Sequence, residues 1–171
     1  LDTLFSGPSG GVSGAVYVSM AAGYPNIITL DMGGTSTDVC LVRDGRPELS
    51  HSRVINGFPL KAPAVDVHTV GAGGSSIAAV DAGGMLRVGP QSAGSKPGPA
   101  CYALGGTQPT VTDANVVLGR LNPGYLLAGA LKIDADKSRL AIESEVAQKK
   151  GASLAEAAAS ILAIADTNMA Q

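Results

Sequence analysis

The residues best suited to chemistry lie in one short stretch, Ile27-Ile28-Thr29-Leu30-Asp31-Met32-Gly33-Gly34-Thr35-Ser36-Thr37-Asp38-Val39-Cys40-Leu41-Val42. Two apolar, β-branched runs predict a pair of strands, and the turn between them holds an acid, two glycines and three hydroxyl residues. Glycine lets backbone N–H groups approach a ligand, and successive N–H groups in a tight turn form a concave anion site. Asp31, where the first strand ends, is suited to hold hydrated Mg²⁺. The stretch predicts a phosphate-binding hairpin, with an ordinary glycine-rich turn as the alternative.

A second candidate lies at Asp66 and His68, which alternate with valines on a predicted strand that leads into Gly71-Ala72-Gly73-Gly74. Alternation places both side chains on one face of the strand. If that face borders a cleft, His68 could bind substrate or carry a proton near neutral pH. A structural histidine is an equally good interpretation of this residue.

Other motifs favour less specific interpretations. The chain lacks the P-loop pattern, and a dinucleotide interpretation of Gly71-x-Gly73-Gly74 fails because Ser76 occupies the third glycine position. Gly7-Pro8-Ser9-Gly10-Gly11 matches a serine-hydrolase elbow, but the preceding strand is weak. We therefore predict that Ser9 caps a helix, and a serine hydrolase remains the enzyme alternative from another class.

The two cysteines predict no disulfide scaffold. Cys40 and Cys101 are far apart in different kinds of element, so a reducing cytosol is the predicted compartment. Cys40, between Val39 and Leu41, is predicted to be core. Cys101 lies in a Pro/Gly-rich loop where it could be an accessible nucleophile with only Lys96 nearby in sequence. No Cys or second His lies at zinc-ligand spacing.

The composition excludes several classes of partner. The chain has 171 residues, 45% hydrophobic and 15% charged, which is typical of a folded domain rather than a disordered one. A net charge of −2 gives no electrostatic case for nucleic acid or an anionic membrane. No apolar run reaches the roughly 18 residues needed to span a bilayer, and the start does not resemble a signal peptide. The chain begins without methionine and ends inside a helical pattern, as a piece of a longer protein would.

The elements that position these residues are predicted to be antiparallel strands followed by helices. Together they predict one lobe of a mixed α/β fold. The predicted elements are a helix over Gly11–Ala22, a turn at Asp44-Gly45, a strand over Glu48–Ile55, a strand over Val65–Val70, a hairpin about Gly83-Gly84, a helix over Asp113–Leu118 capped by Thr112, a helix from Asp134 or Asp136 to Lys150, and a helix with a Ser153–Glu156 capping box.

Several stretches in continuous order carry a family resemblance. They are Ser6-Gly7-Pro8-Ser9-Gly10-Gly11, the hairpin, Val65-Asp66-Val67-His68-Thr69-Val70-Gly71-Ala72-Gly73-Gly74, Val88-Gly89-Pro90, Pro97-Gly98-Pro99-Ala100-Cys101-Tyr102, Thr110-Val111-Thr112-Asp113-Ala114-Asn115, Leu118-Gly119-Arg120-Leu121 and Asn168-Met169-Ala170. Over nearly the whole chain they resemble the hydantoinase A/oxoprolinase family.

The resemblance implies the fold shared by sugar kinases, actin and heat-shock-type chaperone ATPases. Residues 1–171 are expected to be a single partial domain from the second lobe. The first phosphate hairpin, expected upstream, and the adenosine-binding segment are absent from these residues. We therefore expect the chain to be inactive alone and to bind ATP weakly or not at all.

The resemblance also implies an activity, which is ATP-dependent hydrolysis of a cyclic amide through phosphorylation of the amide oxygen. Alternatives are a subunit of an ATP-dependent ketone carboxylase and a nucleotide-binding structural or regulatory module. An oligomer containing a hydantoinase B-type subunit or domain is implied. Members commonly carry glycine where this chain has Ser75.

Site roles follow from the same resemblance. Asp31 would orient Mg²⁺ or water, and Asp66 and His68 would face the cleft as further catalytic candidates. The residues implied to bind ATP and support the turn are Gly33, Gly34, Thr35, Ser36, Thr37, Asp38, Gly71, Gly73 and Gly74.

Overall fold

A computed structural model describes residues 6–50, 53–55, 58–60, 63–124 and 132–170. The chain divides into two compact units. The first unit contains Leu1–Asp31 and Thr37–Val70, and the second contains Met32–Ser36 and Gly71–Gln171. The weak strand predicted over Leu1–Phe5 lies outside the described residues. The expectation of a single partial domain stays a prediction.

The first unit is a helix followed by short antiparallel strands. Strand β2 pairs with β1, β3 and β8, β4 pairs with β7, and β5 pairs with β6. Its core contains Val12, Cys40, Val42 and Val67. The elements are α1 (Ser6–Ala21), β1 (Ile27–Met32), β2 (Thr37–Arg43), β3 (Arg46–Pro47), β4 (Leu49–Ser50), β5 (Arg53–Ile55), β6 (Phe58–Leu60), β7 (Ala64–Val65) and β8 (His68–Val70).

The β1–β2 hairpin and the Asp44-Gly45 turn are confirmed. Both turn residues have positive φ, 50° and 70°, which Asp and Gly tolerate better than most residues. The prediction that Ser9 caps α1 is wrong, because α1 begins at Ser6 and the Ser9 carbonyl already accepts a hydrogen bond from Ser13 Oγ. Ser9 therefore lies within the first turn of the helix.

Two predicted strands are interrupted. The strand expected over Glu48–Ile55 includes β4 and β5, which pair with different partners, and residues 51–52 between them lie outside the described residues. The strand expected over Val65–Val70 is broken at Asp66 and Val67, where the Asp66 N–H donates to the Glu48 carbonyl at 2.8 Å. β4 pairs with the more distant β7, whereas β5 pairs with the neighbouring β6, so the choice of partner divides the first predicted strand.

The second unit packs helices on a β-hairpin. Buried aliphatic side chains from β9, β10 and the helices form one core, with Ile142 and Ile161 fully buried. The elements are β9 (Ser76–Val80), β10 (Leu86–Ser92), a 3₁₀ turn (Ala100–Tyr102), α2 (Val111–Val117), α3 (Ala135–Ile142), a π-helical stretch (Glu143–Ala147), α4 (Gln148–Lys150) and α5 (Leu154–Met169). In the described part of the chain, no helix is both long and apolar enough to cross a bilayer.

Helix ends in this unit follow the sequence with one exception. The Asp134 cap, the stop at Gly151 and the Ser153–Glu156 capping box are confirmed. The prediction that Thr112 caps α2 is wrong, because Thr110 is the N-cap and forms a capping box with Asp113. Thr112 lies inside the first turn, which frees its hydroxyl for another contact described below.

Candidate functional site

A tight turn over Met32–Ser36, here called the glycine turn, holds the residues predicted to bind phosphate. The Gly33 N–H donates to the Ser36 carbonyl at 2.8 Å and closes the turn. Gly33, Gly34 and Thr35 are exposed. Within the described ranges, the N–H groups of Gly34 and Thr35 donate to no protein acceptor. Exposed N–H groups on a glycine turn are the donors that an anion such as phosphate needs.

A second segment, residues 73–75, supports the glycine turn through backbone hydrogen bonds. The Gly74 N–H donates to the Gly33 carbonyl at 3.0 Å, and the Ser75 N–H donates to the Gly34 carbonyl at 2.6 Å. A Cβ at Gly73 would lie 2.6 Å from the Gly34 oxygen, closer than a real Cβ approaches such an atom. Gly73 is therefore required for this close approach of two backbones.

Thr112 extends this support to the helices. Its N–H and Oγ1 both donate to the Gly74 carbonyl, at 2.8 and 2.9 Å. Ser75 is buried, and its Oγ lies 3.4 Å from where a Cβ on Gly34 would be. The serine at position 75 is therefore compatible with close backbone packing. Sequence reasoning missed Thr112 because its partner is 38 residues away.

We expect Gly73→Ala to lower the activity of the complete protein about 100-fold, because its Cβ must displace the glycine turn by a fraction of an ångström or more. Steady-state kinetics with ATP varied would measure the loss. Gly14→Ala is the matched control, since nothing lies within 4 Å of a Cβ built there. Equal activity of the two variants would contradict the supporting role of residue 73.

The tip of the glycine turn has one further attachment. Thr35 Oγ1 lies 3.2 Å from Ser92 Oγ at the end of β10, and Ser92 Oγ also accepts a hydrogen bond from the Gly94 N–H at 3.1 Å. This contact fixes the Thr35 side chain beside the loop that follows β10.

Asp31 and Asp38 share a cavity in the first unit. The cavity has a volume of about 400 Å³ and mostly apolar walls from α1 and β1. Asp31 is exposed, and in the described part of the chain no group donates to its carboxylate. Asp38 differs, because Oδ1 accepts a hydrogen bond from Thr69 Oγ1 at 2.6 Å across the β2–β8 pair. Asp31 is thus the carboxylate available to a cation or water, and Asp38 is held by its neighbour.

The single Asp31 carboxylate fits Mg²⁺ only if phosphate oxygens and water supply the other ligands. The described residues contain no cluster of three or more His, Cys, Asp or Glu side chains that could hold a metal alone. Mg²⁺ commonly takes one or two carboxylates and completes its shell with phosphate oxygens and water. A single exposed carboxylate is consistent with that mode.

The remaining predicted site residues are not among those that line this cavity. Asp66 and His68 are exposed on either side of buried Val67, and neither lines the cavity. That they share a face stays a prediction, because the strand whose alternation predicted it is broken at Asp66 and Val67. Thr37 is buried at the start of β2. Gly71 is exposed directly after β8. Their roles in catalysis and ATP binding stay predictions.

Comparison with known proteins decides the family. A sequence model described as Hydantoinase/oxoprolinase matches the chain over residues 1–171. The chain belongs to the hydantoinase/oxoprolinase family. The resemblance predicted from the sequence motifs is therefore confirmed.

Relatives in the hydantoinase/oxoprolinase family include two different enzyme types. The chain is 41% identical to the caprolactamase subunit alpha of Pseudomonas jessenii over 169 residues, which are 99% of this chain and 24% of that protein. It is 45% identical to the acetophenone carboxylase gamma subunit of Aromatoleum aromaticum over 170 residues, which are 98% of this chain and 23% of that protein. The chain thus spans about a quarter of the length of these relatives.

A solved structure in the same family confirms the predicted fold class. The crystal structure of ATP-dependent caprolactamase from Pseudomonas jessenii matches with a TM-score of 0.85 and 43% identity, covering 96% of this chain and 24% of that one. The mixed α/β class with antiparallel hairpins followed by helices is therefore correct.

In this hydantoinase/oxoprolinase member, the two cysteines are structural. Cys40 is buried in the core as predicted. The hypothesis that Cys101 is accessible is wrong, because its side chain is fully buried. Burial raises the pKa of the Cys101 thiol to about 12, and the Asp113 carboxylate adds to the shift. A protonated thiol is a poor nucleophile, so Cys101 does not fit a catalytic role.

We expect native Cys101 to react with iodoacetamide at pH 8 about 1000-fold more slowly than in the unfolded chain, since its thiolate fraction falls with the raised pKa. Peptide-resolved mass spectrometry would measure both rates. The same shift predicts that this thiol destabilises the folded state as pH rises from about 9 to about 12, because the unfolded chain loses the proton first. Equal labelling rates in the native and unfolded protein would contradict the burial.

Proposed function

We propose that this chain is the phosphate- and metal-binding part of a larger cytoplasmic enzyme that uses ATP to hydrolyse a cyclic amide. The observation that carries the proposal is the glycine turn. Its Gly34 and Thr35 N–H groups have no protein acceptor among the described residues, and they come three and four residues after the exposed Asp31. The family description and the caprolactamase relative support the cyclic amide as substrate. The caprolactamase structure, described as that of an ATP-dependent enzyme, supports the nucleotide.

Different residues of this chain have different roles in the proposed reaction. The Gly34 and Thr35 N–H groups bind phosphate oxygens, and Ser36 closes the turn through its carbonyl. Asp31 holds Mg²⁺ or orients a water molecule. The Gly73 and Gly74 N–H groups are not available to phosphate, because they donate to Ser76 Oγ and the Gly33 carbonyl. These two glycines instead position the turn, Gly73 through its close approach to Gly34 and Gly74 through its hydrogen bond.

When bound, ATP would supply the phosphoryl group that activates the amide oxygen, with Mg²⁺ offsetting the phosphate charge. Activation is needed because amide resonance makes the ring carbonyl a weak electrophile. In the net reaction one water opens the ring at its C–N bond, a second is consumed with ATP, and the products are the amino acid, ADP and phosphate. Asp66 and His68 remain candidates for moving protons during ring opening.

The names of the relatives support a multi-subunit assembly. Both are subunits by name, alpha in one case and gamma in the other. We propose a hydantoinase B-type subunit or domain as the partner and place residues 1–171 in a single lobe of an actin-like ATPase fold.

The decisive experiment is ADP release by the complete protein with its partner, measured with and without a panel of cyclic amides, together with detection of the ring-opened amino acid. We expect ADP release to require the amide and to match the ring-opened product one to one. A carboxylase is the second candidate, favoured by the 45% identity to the acetophenone carboxylase subunit. Bicarbonate-dependent ADP release with a ketone and no ring opening would favour it, and nucleotide binding without either product would indicate a regulatory module.

A further inference from the structure

The Thr35 side chain at the tip of the glycine turn is joined to the end of β10 by a contact between two hydroxyl groups. Thr35 Oγ1 lies 3.2 Å from Ser92 Oγ, and the two residues are 57 positions apart in the sequence. Both belong to the second unit, so the contact lies within one compact body. Thr35 is exposed and Ser92 is partly buried, so the pair links the fold to the open side of the turn.

The loop that follows β10 supplies Ser92 with a second hydrogen bond. Ser92 Oγ accepts from the Gly94 N–H at 3.1 Å. Gly94 has a φ of 63°, a conformation that glycine adopts without strain, and this bend directs its N–H back toward Ser92. A hydroxyl group has one proton and two lone pairs, so Ser92 accepts this bond and still has its own proton to donate.

The hydroxyl pair can be arranged in two directions. In the described part of the chain, Ser92 Oγ and Thr35 Oγ1 have no other acceptor for their protons than each other. If Ser92 donates to Thr35, the Thr35 proton is left for a ligand on the exposed side of the turn. An anion can only accept, so it selects this direction. The Gly94 N–H, the Ser92 O–H and the Thr35 O–H then form one chain of donors, and each bond strengthens the next.

We infer that Ser92 positions the Thr35 hydroxyl as a third hydrogen-bond donor to the phosphate, beside the N–H groups of Gly34 and Thr35. The inference rests on the proposed function, because it takes the glycine turn as the phosphate site. It adds a residue that touches no ligand itself and acts through Thr35. Hydrogen bonds to a charged acceptor are stronger than those between neutral groups, so a well-oriented third donor adds substantially to phosphate affinity.

The test is a double-mutant cycle in the complete protein with its partner. Calorimetry would measure the Kd of a non-hydrolysable β,γ-imido analogue of ATP with Mg²⁺. We expect Ser92→Ala to raise this Kd about 2- to 10-fold, as loss of a hydrogen bond between neutral groups would. Thr35→Val should raise it about 10- to 100-fold, because its hydroxyl bonds a charged group. In the Thr35→Val background, Ser92→Ala should have no further effect, since the hydroxyl that it orients is gone.

Two further variants separate positioning from general damage. Ser92→Thr keeps the hydroxyl and should bind the analogue within about twofold of wild type. Ser160→Ala is the matched control, because Ser160 is exposed on α5 and its hydroxyl donates to the Glu156 carbonyl of the same helix. It should bind the analogue as wild type does.

Each other outcome has a distinct meaning. A wild-type Kd for either Ser92→Ala or Thr35→Val would overturn the inference and leave the proposed function standing. An equal further loss from Ser92→Ala in the Thr35→Val background would also overturn it, because Ser92 would then act only on its own loop. If the wild-type protein does not bind the analogue, both the inference and the proposed use of ATP are wrong. Binding without turnover of any cyclic amide would contradict the proposed activity alone, and the cycle would still decide the role of Ser92.

Discussion

Asp31→Asn should lower ATP-dependent turnover of the complete protein by about 10²–10³-fold and leave its fold intact. The Asp31 carboxylate is exposed and has no donor in the described part of the chain, so no folded-state hydrogen bond is lost with its charge. Under the proposed function, what is lost is the negative charge that would hold Mg²⁺ or orient water beside the transferring phosphate. The loss should appear mainly in kcat, and the Mg²⁺ concentration needed for half-maximal rate should rise.

Steady-state kinetics over a range of Mg²⁺ concentrations would measure this effect. Asp166→Asn is the matched control, because Asp166 is exposed on α5 and far in sequence from the glycine turn. Circular dichroism and the melting temperature should not distinguish the two variants. If Asp31→Asn turned over at the wild-type rate, Asp31 would have no role in the site.

Asp113→Ala should destabilise the second unit by about 3–5 kcal/mol, because it leaves several buried donors without an acceptor. The Asp113 carboxylate is fully buried. Its hydrogen-bond donors are Ala100 N at 3.1 Å, Cys101 N at 2.9 Å, Thr110 N at 2.9 Å, Thr110 Oγ1 at 2.8 Å and Ser138 Oγ at 2.8 Å. The side chain thus joins the 3₁₀ turn, the start of α2 and α3.

Hydrogen exchange of the complete protein, followed by mass spectrometry, would locate the damage. Peptides covering residues 97–103 and 110–117 should lose protection in Asp113→Ala, and the first thermal transition should fall by about 10 °C. Asp113→Asn should be nearly as harmful, because its NH₂ group would face other donors. Asp166→Ala serves as the surface control. Protection unchanged from wild type would show that these hydrogen bonds contribute little.

The glycine turn could be predicted because the residues that determine it lie close together in the sequence. Apolar strands on both sides, two glycines and an acid within eight residues determine both the hairpin and the exposed tip. The same is true of the Asp44-Gly45 turn and of the Ser153–Glu156 capping box, where neighbouring side chains supply the partners.

The contacts that surround the glycine turn could not be predicted from local sequence patterns. Thr35 meets Ser92 across 57 residues, and Gly74 meets Thr112 across 38. The sequence prediction places the N-cap of α2 at Thr112, two residues after the observed N-cap, Thr110. Both are threonines, so residue type alone does not distinguish them. Only the fold shows that Thr112 is needed at Gly74.

Burial explains the remaining differences. Asp113 looks like an ordinary acid in the first turn of a helix, yet donors from three separate segments enclose it. Cys101 follows a Pro/Gly-rich sequence that suggests an open loop. That loop instead packs against the Asp113 carboxylate, and the Cys101 thiol is buried. Glycine and proline content indicates turns and does not indicate which turns are exposed.

A crystal structure of the complete protein with Mg²⁺ and a non-hydrolysable ATP analogue would test the central claim most directly. We predict that phosphate oxygens of the analogue lie within hydrogen-bond distance of the Gly34 and Thr35 N–H groups, with the metal or one of its waters on the Asp31 carboxylate. An analogue bound elsewhere, with residues 33–36 contacting only protein or solvent, would contradict it.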